Sequence, residues 1–144
     1  MTTRLDSIER SLPIMLLRAR ESVMRRFRPL LAEHGLSEQQ WRVLRVLNEQ
    51  GPMELTGLAR QAVVLTPSLT RILANLDRRG LTARRTDSRD RRRQTARLTG
   101  AGRRLIATIA PESARIYEGI EREYGAARLH ELMVLLRELA PEEE

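Results

Sequence analysis

Apolar residues recur at steps of three and four positions through nearly every long segment of the chain, which is the period of one face of an α-helix. The first series runs over 8–30 and stops before Gly35, where glycine can adopt the left-handed conformation that ends a helix. Ser37 and Gln40 form a capping-box pattern for a second helix that ends at Gly51. These patterns predict a mainly α fold.

Two shorter helices follow in quick succession. The first begins near Leu55, and the second begins at Thr66 and Pro67, which match an N-cap followed by proline, and runs to Gly80. Two short helices with a tight connection over 62–65 indicate a helix-turn-helix, whose second helix enters the major groove of DNA. An ordinary helical hairpin gives the same pattern. The polar side chains off the apolar stripe of the second helix are candidate DNA contacts: Thr66, Ser68, Thr70, Arg71, Asn75 and Arg78.

A β-hairpin wing is predicted directly after the fourth helix. The stretches 81–85 and 95–98 can each form a short strand, and 86–94 between them is rich in turn residues and arginine. Asp87 and Asp90 would weaken phosphate binding if they merely faced solvent, so we expect at least one of them to brace an arginine and fix the tip. The candidate DNA residues of the wing are Arg84, Arg89, Asp90, Arg91, Arg92 and Arg93.

Positive charge is concentrated in this same part of the chain. Between Arg71 and Arg104 twelve arginines stand against three acids, a net charge of +9, whereas the whole chain carries +7. Charge of one sign in one block indicates a polyanion as the partner. A disordered basic tail is the alternative, but Leu81, Leu98 and glycine-terminated helical patterns interrupt the block. The chain contains no lysine, which suits bidentate phosphate binding by arginine or reflects only a coding bias.

Several other classes of protein are disfavoured. The chain has no cysteine, which excludes disulfides and thiolate metal sites. His34 and His130 lack partners at metal-ligand spacing, and no P-loop, dinucleotide-binding glycine turn or nucleophile-elbow motif is present, so we expect no enzyme, cofactor or metal. Arg18 and Arg20 interrupt the best apolar stretch near the N-terminus, which argues against a signal peptide or membrane span and for a cytoplasmic protein.

Three segments around the predicted wing carry a family resemblance: Gly80-Leu81 with Arg84-Arg85, then Asp87-Ser88-Arg89-Asp90-Arg91-Arg92, then Leu98-Thr99-Gly100-Ala101-Gly102-Arg103. They resemble the wing signature of the MarR-type winged helix-turn-helix transcriptional regulators. In that family the arginine matching Arg92 reaches the minor groove, and the acid matching Asp90 supports the wing. The sequence at 12–21 and 36–44 is similar to the branch that represses homoprotocatechuate (4-hydroxyphenylacetate) degradation operons.

The resemblance implies a winged helix-turn-helix with a small β-hairpin wing and long N- and C-terminal dimerisation helices. The chain 1–144 would form one unit, with dimerisation helices in 5–35 and 105–140 and the DNA-binding lobe in 37–102. A homodimer on a near-palindromic operator follows. The apolar stripe of the last helix supports a dimer independently, although an intrachain helix pair is the alternative: Leu129, Leu132, Met133, Leu136 and Leu139.

The resemblance also implies an effector, a small phenolic or aromatic carboxylate that releases a repressor from DNA. Family members often bind the carboxylate through an arginine of the first helix, which makes Arg20 the expected contact and Arg18 the second choice. Trp41, the only tryptophan, would stack on the aromatic ring. The alternatives are an Arg20 paired with a carboxylate of the protein and a Trp41 that belongs to the core. A constitutive, architectural DNA-binding protein without effector response is the alternative function.

Overall fold

The computed structural model describes residues 7–142, which form six α-helices, one 3-10 turn and three short strands. In chain order these are a 3-10 turn Ile8–Arg10, α1 Leu12–Glu33, α2 Glu38–Gln50, β1 Met53–Glu54, α3 Leu55–Ala62, α4 Thr66–Arg78, β2 Thr82–Thr86, β3 Gln94–Leu98, α5 Gly100–Tyr124 and α6 Ala126–Leu139. The predicted mainly α, winged helix-turn-helix fold is confirmed. The chain divides inside α5 into two compact units, Met1–Ile109 and Ala110–Glu144. Over 7–142, no helix combines the length and the apolar character needed to span a membrane.

The first helix begins one turn later than the apolar series predicts. Ser11 is extended, with φ −74° and ψ 114°, and its hydroxyl accepts a hydrogen bond from the Ile14 amide at 3.5 Å, so α1 starts at Leu12. The expectation of one continuous helix from Ile8 was therefore wrong, because Ser11 caps a new helix and leaves Ile8 in a separate turn. Residues 5 and 6 of the predicted N-terminal segment lie outside the described residues.

The corner between α1 and α2 has the predicted caps. Gly35 adopts φ 65° after the end of α1. The Gln40 amide donates to the Ser37 hydroxyl at 3.1 Å, and the Ser37 amide donates to the Gln40 side-chain oxygen at 3.0 Å, which completes the capping box. The start of α2 is thus determined locally, by residues three positions apart.

The turn between α3 and α4 departs from the prediction. Leu65, not Thr66, is the extended N-cap residue of α4, and it offers no side-chain acceptor. Pro67 does not identify the N-cap residue of α4, because backbone amides throughout the first turn have no intrahelical partner. Proline is therefore tolerated at more than one position of that turn. A leucine cap forgoes about 1 kcal/mol relative to serine or aspartate. Val63 ends α3 with φ 56° and ψ 53°, a left-handed conformation that costs a β-branched residue roughly 1–2 kcal/mol.

The wing is a three-stranded antiparallel sheet in the order β1-β3-β2. The predicted hairpin pairs β2 with β3 in a register that joins Thr82 to Leu98 and Thr86 to Gln94. Strand β1 was not predicted, because two residues are too few to show the alternation of a strand. It pairs Met53 with Ala96 and so attaches the wing to the chain segment that precedes α3.

A leucine-rich core positions α4. Leu69, Leu73 and Leu76 of α4 are fully buried, as are Leu44 of α2 and Leu58 of α3. Burial of one such side chain stabilises the fold by about 1.5–3 kcal/mol. The stripe that the spacing predicted for α4 therefore faces inward, and the opposite side of the helix faces solvent.

A close backbone contact secures the start of α5 against the wing. A Cβ on Gly102 would lie 2.2 Å from the Leu81 carbonyl oxygen, which also accepts a hydrogen bond from the Thr99 amide at 3.0 Å. We expect Gly102→Ala to lower the free energy of unfolding by about 1–3 kcal/mol, measured in urea, because backbone must move to admit the methyl group. Gly119→Ala in the same helix, whose Cβ would meet nothing within 4 Å among residues 7–142 beyond its own helix backbone, should instead raise stability by about 0.5–1 kcal/mol. A decrease of similar size at both positions would contradict this steric explanation.

Candidate functional site

The solvent-facing side of α4 carries most of the predicted DNA contacts. Thr66, Thr70, Arg71 and Arg78 are exposed, and Ser68 is half-buried. Arg71 and Arg78 lie opposite the buried leucines of the same helix, and Thr70 lies beside them on the exposed side. The helix therefore presents hydroxyl and guanidinium groups on its free face, which are groups that bind base edges and phosphates.

Asn75 is placed differently from the other candidates on α4. It is half-buried, and its side-chain oxygen accepts a hydrogen bond from the side-chain nitrogen (Nε2) of Gln40 in α2 at 2.9 Å. Gln40 thus completes the capping box of α2 through its own oxygen and holds α4 through its nitrogen. The pairing spans 35 positions, so no local pattern in the sequence announces it.

The wing tip contains the predicted brace. Asp90 accepts hydrogen bonds from the backbone amide of Arg92 at 3.0 Å and from the Arg92 Nε at 3.3 Å. Asp87 accepts from the Arg89 amide at 2.8 Å, and the Asp87 amide donates to the Arg93 carbonyl at 2.9 Å. The Arg92 side chain remains 93% exposed. The two acids thus order the loop backbone while the guanidinium stays available.

The other wing arginines divide into two groups. Arg84 is half-buried and donates through Nε to Asp77 at 2.8 Å, and Asp77 also accepts from the Thr82 hydroxyl at 2.5 Å. Arg84 therefore fastens β2 to the end of α4. The remaining candidates are exposed, with Arg93 only 3.9 Å from a Glu54 oxygen: Arg89, Arg91 and Arg93.

A cluster of ion pairs joins α1 to the start of α2. Arg20 contacts Glu38, and Arg28 donates to Glu38 at 2.6 Å and to both oxygens of Glu21 at 2.5 and 2.7 Å. The hydrogen bond from Arg28 lowers the pKa of Glu21. Burial raises the pKa of Glu38, but hydrogen bonds from Arg20 and Arg28 outweigh it and leave that pKa below the ordinary value. The alternative of Arg20 paired with a protein carboxylate is thus what the structure contains.

Arg42 stands one helical turn after Glu38 and is incompletely satisfied. Its Nε is buried without a hydrogen-bond partner among the described residues, and its Nη2 donates to the Val63 carbonyl at 3.4 Å. Burial lowers the pKa of Arg42, repulsion from Arg20 lowers it further, and attraction to Glu38 opposes both. Arginines outnumber glutamates in this neighbourhood, which therefore carries excess positive charge: Arg20, Arg25, Arg28 and Arg42 with Glu21 and Glu38.

The remaining effector candidates occupy different surroundings. Trp41 is only 8% exposed and belongs to the core, three residues after Glu38 on the same side of α2. Arg18 is exposed and forms no ion pair with another residue of the described part of the chain. The structure therefore pairs Arg20 with Glu38, places Trp41 in the core one turn further along α2, and leaves Arg18 outside these ion pairs.

Arg79 makes a contact that the sequence did not reveal. Its two terminal nitrogens donate to the Gly35 carbonyl at 2.9 Å and to the His34 carbonyl at 3.0 Å. Carbonyls at a helix end lack intrahelical partners, so a guanidinium there satisfies two of them at once. Arg79 belongs to the arginine-rich segment between Arg71 and Arg104, but its side chain joins the end of α4 to the end of α1.

Comparisons with known proteins agree with this arrangement. The model of the MarR family matches residues 36–93, which span α2 to the wing tip. The chain is 41% identical over 134 residues to an HTH-type transcriptional regulator FarR of Neisseria gonorrhoeae, a match covering 93% of this chain and 92% of the relative. The protein belongs to the MarR family. It is therefore a transcriptional regulator and not an enzyme, as predicted.

Two further relatives of this MarR-family protein are named with an aromatic acid. The homoprotocatechuate degradative operon repressor of Escherichia coli is 40% identical over 89% of this chain and 86% of the relative. The solved structure of NadR in complex with 4-hydroxyphenylacetate has 40% identity and a TM-score of 0.83, covering 98% of this chain and all of the other. Both matches confirm the predicted resemblance to the homoprotocatechuate branch.

Proposed function

We propose that this protein is a ligand-responsive repressor that binds a near-palindromic DNA operator as a homodimer and is released by a small phenolic carboxylate. The observation that carries the proposal is the exposed polar face of α4 beside a wing tip whose arginines are ordered by Asp87 and Asp90. Operator DNA as the partner would place the protein in the cytoplasm.

The DNA contacts would come from two elements with different tasks. Helix α4 would lie in the major groove, where Ser68, Thr70 and Arg71 meet base edges and phosphates. Arg92 would enter the adjacent minor groove, where the negative potential is greatest if that groove is narrow. Because Asp90 holds the Arg92 backbone, the tip loses less entropy on binding than a free loop would.

Homodimerisation is proposed from the apolar surfaces that the chain leaves uncovered. Helix α6 contains no buried residue. Five of its large apolar side chains keep 37–54% of their surface exposed to solvent: Leu132, Met133, Val134, Leu135 and Leu139. The first two turns of α1 are similarly exposed at Leu12, Met15 and Leu16. A second copy of the chain is the occupant that we propose for both surfaces, since it would also set two recognition helices roughly 34 Å apart.

The dimer is testable through α6. We expect the protein to sediment at twice the 16.6 kDa of one chain. Met133→Asp should shift the protein to monomers and weaken operator binding by roughly 100-fold or more, because each half-site then binds alone. Ala140→Asp, which places the same charge at the exposed residue that ends α6, should leave the protein dimeric. A monomeric parent protein, or a dimeric Met133→Asp variant, would refute this interface.

The wing brace makes a prediction opposite in sign to simple charge attraction. Arg92→Ala should lower operator affinity, and the slope of log K against log salt should fall by about 0.9 for each phosphate that the variant no longer neutralises. Asp90→Ala should also lower affinity although it removes a negative charge, because Arg92 loses its anchored backbone. Glu49→Ala, which removes an exposed acid of α2, is the control and should not weaken binding. Tighter binding by Asp90→Ala at every salt concentration would mean that the wing is only a charge patch.

The effector site is proposed at the cluster around Arg20 and Glu38. The excess positive charge and the unpartnered Nε of Arg42 favour binding of one additional anion there. Trp41, one turn after Glu38 in α2 and 8% exposed, would present the edge of its indole to an aromatic ring. A ligand carboxylate would have to compete with Glu38 for Arg20. We propose 4-hydroxyphenylacetate, which is bound in the NadR structure, and homoprotocatechuate, after which the operon of the other relative is named, as the effector compounds.

Release of DNA requires that the effector prefer the dimer geometry that misaligns the two recognition helices, since equal affinity for both geometries shifts no equilibrium. Titration with 4-hydroxyphenylacetate, followed by Trp41 fluorescence, should therefore give weaker binding when operator is present, by the same factor by which the ligand weakens DNA binding. Arg20→Ala should abolish the ligand response and leave DNA affinity largely intact.

Arg18→Ala is the matched control for this experiment, because Arg18 lies two residues away without an ion pair to another described residue, and it should respond as the parent does. A normal response in Arg20→Ala would show that the site is misplaced. Failure of every aromatic acid to release DNA from the parent protein would favour the architectural, effector-independent alternative.

A further inference from the structure

The turn that leads into the recognition helix carries two conspicuously exposed apolar side chains. Val63 is 77% exposed and Leu65 is 76% exposed, more than any other large hydrophobic side chain among residues 7–142. A single exposed leucine is common on protein surfaces and needs no explanation. Val63 and Leu65, however, lie within three residues of each other at the turn of a helix-turn-helix, which indicates a common role.

Both residues lower stability at their positions without the burial that would offset it. Val63 holds a left-handed conformation that glycine or asparagine would adopt at less cost. Leu65 occupies the N-cap of α4, where serine, threonine or aspartate would accept a hydrogen bond from the first turn. Backbone strain that persists in a structure is concentrated at functional sites. These features indicate that Val63 and Leu65 contact another molecule rather than stabilise the monomer.

The apolar surfaces assigned to the dimer lie on α1 and α6, whereas Val63 and Leu65 belong to the turn between α3 and α4. A helix-turn-helix places the N-terminal residues of its second helix at base edges in the major groove. There the only apolar group offered by any base is the C5-methyl of thymine. Leu65, next to the exposed Thr66, has the chemistry that this group would contact.

We propose that Leu65 is a specificity-determining residue that contacts a thymine methyl group in each operator half-site. The inference rests on the proposed DNA-binding function and deepens it, because it names a base that α4 selects. Val63 stands beside this contact, and the hydrogen bond from Arg42 to the Val63 carbonyl helps to hold the turn. The selection is by burial of an apolar surface and needs no hydrogen bond to the base.

The experiment compares thymine with deoxyuridine, which differ only by the methyl group. The full-length protein is first used to enrich binding sites from random duplexes, and each thymine of the enriched half-site is then replaced by deoxyuridine. The parent protein should lose about four-fold in affinity per half-site at one thymine position, the value expected for one buried methyl group. Replacement of thymines outside the half-sites should have no effect.

Variants of the turn then assign the contact. Leu65→Ala should bind the thymine operator about four-fold more weakly per half-site and should bind the thymine and deoxyuridine operators equally. Leu65→Ser should behave likewise on DNA while melting at a higher temperature, because serine restores the cap, so loss of selection cannot be attributed to unfolding. Arg71→Ala, the neighbouring control on α4, should weaken binding to both operators by the same factor.

The possible failures are distinguishable. If Leu65→Ala still prefers thymine as strongly as the parent protein does, another group contacts the methyl and the proposal is wrong. If the parent protein shows no preference at any thymine, the proposal is also wrong while the DNA-binding function stands. If no duplex is enriched at all, the proposed function itself fails and the Leu65 contact fails with it.

Discussion

The recognition helix depends on its attachment to the corner between α1 and α2. Arg79, directly after α4, donates to the His34 and Gly35 carbonyls, and Gln40 donates to Asn75 in the last turn of the helix. A hydrogen bond to a charged group contributes about 1.5–3 kcal/mol and a neutral one about 1 kcal/mol. The buried leucines of α4 add burial of apolar surface to this attachment. The polar links, being directional, set which side chains the helix presents to DNA.

The three acids between Arg71 and Arg104 reduce the repulsion among the twelve arginines of that segment and so allow it to fold. Asp77, near the end of α4, accepts hydrogen bonds from Thr82 and Arg84 of β2. Asp87 and Asp90 instead accept hydrogen bonds from backbone amides of the wing loop. Each acid therefore offsets repulsion where the chain must turn, and the guanidinium of Arg92 is left exposed. A chain with fewer acids would carry more charge toward DNA but would present it on a less ordered loop.

The corner also brings the proposed effector site close to the attachment of α4. Glu38, which contacts Arg20 and Arg28, stands two residues before Gln40, which holds Asn75. Both residues belong to the first turn of α2, the turn whose start the capping box fixes. A ligand at the proposed site would therefore bind beside the turn that holds α4. The physical connection is short and passes through one helix end rather than through the core.

The sequence alone determined the helices, the capping box at Ser37, the wing hairpin and its brace, because each depends on residues close together in the chain, where spacing and side-chain chemistry decide the outcome. It missed β1, which is two residues long, the break at Ser11, and the leucine cap of α4, since local preferences there are weak or divided. Only the tertiary structure decided that Asn75 faces Gln40, that Arg79 caps α1 and that Glu38 lies between Arg20 and Arg28. The Asn75, Arg79 and Arg20 contacts join residues from 18 to 45 positions apart. Such partners are selected by how the buried stripes bring the helices together, and the direction of a long polar side chain is fixed only after that packing exists.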